Sequence, residues 1–300
     1  VKVNRLGNSD LMVSEVGFGC MSLGENQLLN AHLLHKAIDN GINFFDTADL
    51  YDKGLNELHL GSALKEIRKK IILATKVGNQ WKGDGQSWVW NPSKEYILKE
   101  VEQSLRRLKT DYIDLYQLHG GTIDDPIDET IEAFEILKKQ GKIRWYGISS
   151  IRPNVIMEYL KRSNIVSVMM QYSILDHRPE EELLELLHQQ GVGVLARGAL
   201  AQGLLAGKPA TEYLQFTDSE VLRLSKIVDS LAKDKATSQS IIALMYVLKH
   251  PAVASAVTGI RTEVQLDEIL KINQNKALTP AELDQIRSSV RRYYYQEHRK

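Results

Sequence analysis

Asp46, Tyr51, Lys76 and His119 are the residues of this 300-residue chain whose types and spacing suit a shared chemistry. Each closes or follows a short apolar run. INFFD ends in Asp46 and continues through TADL to Tyr51, IILATK ends in Lys76, and YIDLYQL runs into His119. Taken singly, each has an ordinary structural use. Aspartates cap helices, loop lysines are solvated, and histidines and tyrosines pack. Together they suit reduction of a carbonyl. Hydride addition leaves negative charge on oxygen, so a proton donor must stand beside it. A phenol, with an ordinary pKa of about 10, is a poor donor at neutral pH. An ammonium group next to it stabilises the phenolate and eases proton exchange. Tyr51 would then exchange the proton, Lys76 would tune it and Asp46 would hold the lysine. His119 would donate a hydrogen bond to the substrate oxygen.

These roles require one scaffold that presents all four side chains at one end. Eight apolar runs of a length suited to buried parallel strands recur at 15–19, 42–46, 71–76, 112–118, 144–149, 166–171, 193–197 and 254–259. Stretches of helical period lie between them, clearest at 28–41, 93–108, 128–142 and 178–191. Asn40-Gly41 stops the first, Ser93 caps the second and Gly141 stops the third; Pro179, followed by acids, opens the fourth. Eight β–α alternations without a low-complexity linker predict a single α/β domain over 1–300, a (β/α)8 TIM barrel. The first fifteen residues predict a β-hairpin: VKVNR, a Leu-Gly-Asn-Ser-Asp turn, then LMVSE. An open doubly wound sheet drops out. Its phosphate turn would need a third glycine in GFGCMSLG, where Ser22 stands.

Lys plus Arg and Asp plus Glu both number 38, so no general attraction to nucleic acid or anionic membrane is expected. The basic and aromatic run RRYYYQEHRK (291–300) is read as a helix packing one tyrosine face, not as an RNA-binding tail. No apolar run approaches the ~20 residues of a membrane helix. The N-terminal VKVNRLGNSD lacks the apolar segment of a signal peptide. Cys20 is the one cysteine, which excludes an intrachain disulfide and suits a reducing compartment. The expectation is a soluble, cytoplasmic, monomeric protein. His32, His35, His59 and His188 fall on helical stretches without metal-ligand spacing, so no metal is expected. His177 is read as a loop or capping residue. Trp81, Trp88 and Trp90, in the loop GNQWKGDGQSWVWNP, are placed either to line a substrate pocket or to pack outside the barrel mouth.

FFDTADLY (44–51), ATK (74–76), LYQLHGG (115–121), YGIS (146–149) and TGIRTEVQLDEI (258–269) together resemble the aldo-keto reductase superfamily. The likeness spans nearly the whole chain in the family's order. GGTIDDPIDET and ARGALAQGLLAGK bring it nearer the bacterial general-type members. The resemblance implies a barrel whose base is closed by the hairpin, and an NADP(H)-dependent carbonyl reductase acting on small carbonyl substrates. It also implies a catalytic tetrad of Asp46, Tyr51, Lys76 and His119. The nucleotide would lie extended across the barrel mouth. Gly19, Cys20, Met21 and Asp46 are implied at its nicotinamide, with Ser149 and Gln171 on the carboxamide. Arg197, Gly198, Ala199, Leu200 and Gln202 are implied along the nicotinamide and pyrophosphate. Gly259, Arg261 and Gln265 are implied at the adenosine phosphate, with Arg261 toward a 2′-phosphate.

Three positions depart from the family pattern. Ser150 stands where many members have Asn after the matched serine. Arg197 replaces a tyrosine that stacks on the nicotinamide, and its planar guanidinium can itself stack or reach a phosphate. Ile269 follows Glu268 where Asn is usual. Two other functions compete. One is an accessory subunit that keeps barrel and nucleotide but acts through partner contacts. The other is a phosphate-binding lyase or isomerase barrel, which leaves Tyr51 and Lys76 without a use.

Overall fold

A computed structural model describes residues 1–299. The chain opens with the expected hairpin, β1 (Val3–Arg5) paired antiparallel with β2 (Met12–Ser14). The barrel strands follow: β3 (Val16–Gly19), β4 (Phe44–Asp46), β5 (Ile72–Val77), then, after a short two-stranded excursion, β8 (Ile113–Leu118), β9 (Ile143–Ser149), β10 (Ser167–Gln171), β11 (Gly193–Arg197) and β12 (Val253–Gly259). All eight pair in parallel and close in the order β3-β4-β5-β8-β9-β10-β11-β12, with β12 returning to β3. The excursion, β6 (Asn79–Trp81) and β7 (Trp88–Trp90), is the tryptophan-bearing loop, and it forms a hairpin of its own.

The helices are α1 (Gln27–Asp39), α2 (Leu55–Leu64), α3 (Lys94–Leu108), α4 (Ile127–Lys139), α5 (Pro153–Arg162), α6 (Leu183–Gln189), α7 (Asp218–Asp234), α8 (Gln239–Leu248), α9 (Glu263–Ile269) and α10 (Pro280–Ser289). Ser93 caps α3 by accepting from the Tyr96 amide. The pair α7 and α10, which pack on each other, carries Thr-Glu capping boxes at Thr217–Glu220 and Thr279–Glu282.

Strand side chains alternate between the two faces of the barrel wall. Phe45, Leu73, Tyr116, Ile148, Met170 and Val194 face outward into the helix layer. Phe44, Ile72, Ala74, Leu115, Met169, Leu195 and Val257 face inward. There they meet Leu6, Leu11 and Val13 from the hairpin, which plug the barrel where its strands begin. Gly7 makes that contact possible. Its φ is +55°, and a Cβ there would lie 2.3 Å from the Val166 carbonyl and 2.8 Å from the Gly193 nitrogen, at the entries to β10 and β11.

Two expectations change. The helix over 178–191 is broken into a 3-10 turn (Arg178–Glu180) and α6, with Glu182 between them at φ −151° and ψ −29°, outside the helical region. Glu180 turns inward to accept from the Tyr172 and Tyr246 hydroxyls at 2.9 and 2.5 Å. Residues 291–299 form no helix: they carry no regular secondary structure and bend at 297–298. Tyr293 and Tyr295 are buried while Tyr294 is exposed, and Arg178 sits over both buried rings. Lys300 lies outside the described residues. His177 flanks the 3-10 turn as a buried residue whose Nε2 accepts from the Tyr293 amide. Among the described residues, no helix is long and apolar enough to cross a membrane.

Candidate active site

The inward column of each strand changes character at its C-terminal end. Phe44 is followed two residues on by Asp46, Ile72 and Ala74 by Lys76, and Leu115 by Gln117 and then His119. Met169 is followed by Gln171, and Leu195 by Arg197. Ser149 closes β9, Gly259 closes β12 and Gly19 closes β3. Going round the barrel, every strand thus carries an expected site residue at or just beyond its end. Strand alternation and parallel register bring these residues together although 240 positions separate Gly19 from Gly259.

Lys76 is the centre of the polar group, only 1% exposed. Its Nζ donates to Asp46 Oδ2 at 2.7 Å, to the Thr47 carbonyl at 2.7 Å and to the Tyr51 hydroxyl at 3.2 Å. All three protons of the ammonium are therefore used. Burial works against the Lys76 charge, but Asp46 and Tyr51 outweigh it and hold the ammonium above the ordinary lysine range. Burial raises the Asp46 carboxyl, and the attraction of Lys76 pulls it back. Gln117 adds a hydrogen bond to Asp46 Oδ1 at 3.4 Å.

Tyr51 owes its position to the backbone after it. Asp52, Lys53 and Gly54 all have positive φ (+49°, +55° and +84°), a left-handed reversal that leads into α2. For the two non-glycine residues this costs roughly 1–2 kcal/mol each. Gly54 is also packed tightly, since a Cβ there would lie 2.8 Å from the Arg107 side chain. The His119 ring stands edge-on to Tyr51, 5.7 Å between centroids, and its amide donates to the Val77 carbonyl at 2.7 Å. Its Nδ1 is buried without a partner. Burial, with the charges of Lys76 and Arg197, lowers the His119 pKa to about 3, so the ring is neutral at physiological pH.

The remaining expected residues line the rest of the rim. Gly19 pairs with Gly259 across β3 and β12. The Ser22 hydroxyl lies between the two loops, its one proton shared between the Gly19 carbonyl at 3.0 Å and the Ile260 carbonyl at 3.3 Å. Cys20 is buried and Met21 exposed. Gln171 is held from both sides: Arg197 donates to its Oε1 at 3.3 Å, and its Nε2 donates to the Tyr213 hydroxyl at 3.0 Å. Gly198, Ala201, Gln202 and Gly203 have positive φ, folding the Ala199–Gln202 stretch into a tight reversal after β11. Ser149 is buried, and Ser150 Oγ accepts from the Arg152 amide. Arg261 is exposed, its backbone N–H bonded to Gln265 Oε1 at 2.8 Å ahead of α9. Ile269 faces the core beneath α9, so an apolar residue suits the position. Glycines that keep the rim low, with the exposed guanidiniums of Arg197 and Arg261, fit an anionic dinucleotide lying along it.

Residues 15–291 match the Aldo/keto reductase family. The chain belongs to that family. As an aldo-keto reductase it is an oxidoreductase of carbonyl groups that works with a nicotinamide cofactor. It is 51% identical to the aldo-keto reductase AKR11C1 from Bacillus halodurans in its holo form; the structures superpose with a TM-score of 0.95 over 100% of this chain and 99% of that one. An uncharacterized oxidoreductase of Bacillus subtilis, YqkF, is 49% identical over the full length of both chains. An NADH-specific methylglyoxal reductase of Escherichia coli is 32% identical over 91% of this chain and 94% of that one.

Several residues of this aldo-keto reductase escape sequence reasoning. Gln117 had a signal, because it sits two positions before His119 on the same inward column. Thr47 contributes a backbone carbonyl, which no side-chain pattern reveals. Its hydroxyl donates to Asn56 Oδ1 at 2.6 Å, and Asn56 Nδ2 donates to the Cys20 carbonyl at 2.8 Å, which ties the loop after β3 to the loop that holds Lys76. Tyr213 arrives from a distant connection between β11 and α7.

Proposed function

We propose that this chain reduces aldehydes or ketones to alcohols with NADPH, and that Tyr51 moves the proton. The observation that carries the reading is the Lys76 ammonium, buried and shared between Asp46, the Thr47 carbonyl and the Tyr51 hydroxyl. The nicotinamide supplies the hydride when bound. The protein's part is electrostatic and protonic. Lys76 stabilises negative charge on the Tyr51 oxygen, so the phenol gives up its proton to the oxygen of the reduced carbonyl. Asp46 keeps the lysine charged and aimed. His119 is neutral and carries one ring proton. With that proton on Nε2, the buried Nδ1 is left as an unpaired acceptor and the N–H serves the substrate oxygen.

Asp46, Gly19, Cys20 and Met21 are assigned to the nicotinamide end, with Ser149 and Gln171 on its carboxamide. Arg197, held by Gln171 and exposed at the end of β11, is assigned to the nicotinamide and pyrophosphate region with Gly198, Ala199, Leu200 and Gln202. Gly259, Arg261 and Gln265 take the adenosine end. Arg261 is the reason to favour NADPH, because an exposed guanidinium suits a 2′-phosphate that NADH lacks. We take the protein to act as a monomer built on one barrel domain, which holds every strand end of the site. The single buried thiol of Cys20 suits the cytoplasm.

The test is a panel of small aldehydes and ketones assayed with NADPH and NADH in parallel. We expect turnover with kcat/KM at least tenfold higher for NADPH, and loss of that preference in Arg261→Ala. Equal use of both cofactors would remove the NADPH assignment. Absence of cofactor oxidation across the whole panel would remove the reductase itself.

A further inference from the structure

Gln171, assigned above to the nicotinamide carboxamide, is oriented by two residues of the protein. Arg197 can only donate, so its bond at 3.3 Å fixes which end of the amide is oxygen. Nε2 then turns to the Tyr213 hydroxyl at 3.0 Å. Each end keeps one capacity in reserve, a second proton on Nε2 and a second lone pair on Oε1. A primary carboxamide, with its carbonyl and amino group, offers the complement of that set.

Tyr213 stands 42 positions from Gln171 in the chain, and strand alternation does not place it. Its backbone pairs with that of Phe216 at 3.1 and 2.9 Å, closing the turn Tyr213–Phe216, and both side chains are buried. The end of the chain holds this turn. The Tyr293 ring stands edge-on to Phe216, 5.2 Å between centroids, and the Arg291 guanidinium lies over the Phe216 ring at 5.2 Å. Arg291 also donates to the Gln215 carbonyl inside the turn and pairs with Glu220 at 2.8 Å. Tyr293 in turn is fastened to the segment after β10. Its hydroxyl donates to the Leu175 carbonyl at 3.0 Å and its amide to His177 Nε2 at 3.3 Å. Residues 291–293 thus join the segment that follows Gln171 to the turn that carries Tyr213.

We infer that Tyr213 is a positioning residue for the cofactor, acting through Gln171, and that the C-terminal run holds Tyr213 in place. This rests on the assignment of Gln171 to the carboxamide. A glutamine side chain without such a partner samples several rotamers, and ordering it on binding offsets part of the bond it makes. With Tyr213 beside it, that order already exists in the free protein.

Calorimetric titration with NADPH and NADH tests this, each beside its fragment that lacks nicotinamide (2′-phospho-ADP-ribose and ADP-ribose). Tyr213→Phe keeps the ring and deletes only the hydroxyl. For whichever dinucleotide binds more tightly, it should weaken affinity about three- to tenfold, the range of one modest hydrogen bond. The matching fragment should bind as it does to wild type. In a Gln171→Ala background the same substitution should cost nothing further. Tyr293→Ala, which takes the ring away from Phe216, should also weaken the dinucleotide and spare the fragment; if it does not fold, Arg291→Ala decides. Equal losses for dinucleotide and fragment in Tyr213→Phe would show a general structural role and overturn the inference. A further loss on top of Gln171→Ala also overturns it, and an unchanged dinucleotide affinity in Tyr293→Ala overturns the part given to the C-terminal run. Loss in Gln171→Ala without loss in Tyr213→Phe removes this inference alone. No loss in Gln171→Ala removes the carboxamide assignment and the inference with it, so the two failures are told apart.

Discussion

Where the barrel strands begin, Leu6, Leu11 and Val13 fill the interior against Phe44, Ile72 and Leu195. Where the same strands end, a few residues further along the same inward columns, stand Asp46, Lys76, Gln117, His119, Gln171 and Arg197. The lower end gains roughly 1.5–3 kcal/mol for each large side chain it buries. The upper end holds an ion pair and an unpartnered ring nitrogen away from water, arrangements that cost desolvation energy. Apolar packing is concentrated at one end and the polar groups proposed for the chemistry at the other, and strand alternation with parallel register produces both.

Tyr51→Phe should break this comparison from the chemical side. Turnover should fall by about 10²–10⁴, the usual contribution of a positioned proton donor. Stability should change by only about 1 kcal/mol, the worth of the hydrogen bond from Lys76. Steady-state kinetics with NADPH, alongside urea unfolding, measure both. Near-normal turnover would remove Tyr51 as the donor and leave the strand ends as an elaborate structural network.

Leu11→Ala should break it from the other side. Leu11 is 1% exposed in the plug, and the cavity left behind should cost about 2–5 kcal/mol of unfolding free energy. At temperatures where the variant stays folded, kcat and cofactor affinity should match wild type within about twofold. A large kinetic defect with little loss of stability would mean that the base communicates with the mouth, and the division between the ends would fail.

The lower end and the barrel were legible in the sequence because period and length are local properties. Eight apolar runs separated by helical stretches already implied closure, and VKVNR with LMVSE already implied the hairpin. Asp46, Lys76 and His119 were legible because each interrupts or follows such a run. What stayed hidden depends on distant or backbone groups. The Thr47 carbonyl has no sequence signature, Tyr213 reaches Gln171 across 42 positions, and Asn56 bonds Cys20 across 36. The tryptophan loop carried Gly and Trp but no clean alternation, so its pairing as β6 and β7 was not visible. RRYYYQEHRK misled for a related reason. Three adjacent tyrosines carry no period of their own, and distant groups fix the run: Arg178 seated over Tyr293 and Tyr295, His177 accepting from the Tyr293 amide and the Leu175 carbonyl accepting from its hydroxyl.

The smallest expected effect concerns His119 and measures how much stability the upper end gives up. The folded ring has a pKa of about 3, against an ordinary 6.5, chiefly through burial. Between those values the unfolded chain binds a proton that the folded chain refuses. Stability therefore falls as pH drops below about 6.5, at up to about 1.4 kcal/mol per pH unit from this residue alone. His177 and His250 are also lowered by burial, so the wild-type slope contains their contributions too. The difference between wild type and His119→Gln isolates the one that belongs to the site. Urea unfolding from pH 7.5 to 5 should give a shallower decline in the variant by about one proton. Equal slopes would mean that the ring takes up its proton in the folded state. Its N–H would then reach the substrate from an imidazolium, and the neutral donor assigned to the upper end would have to be abandoned.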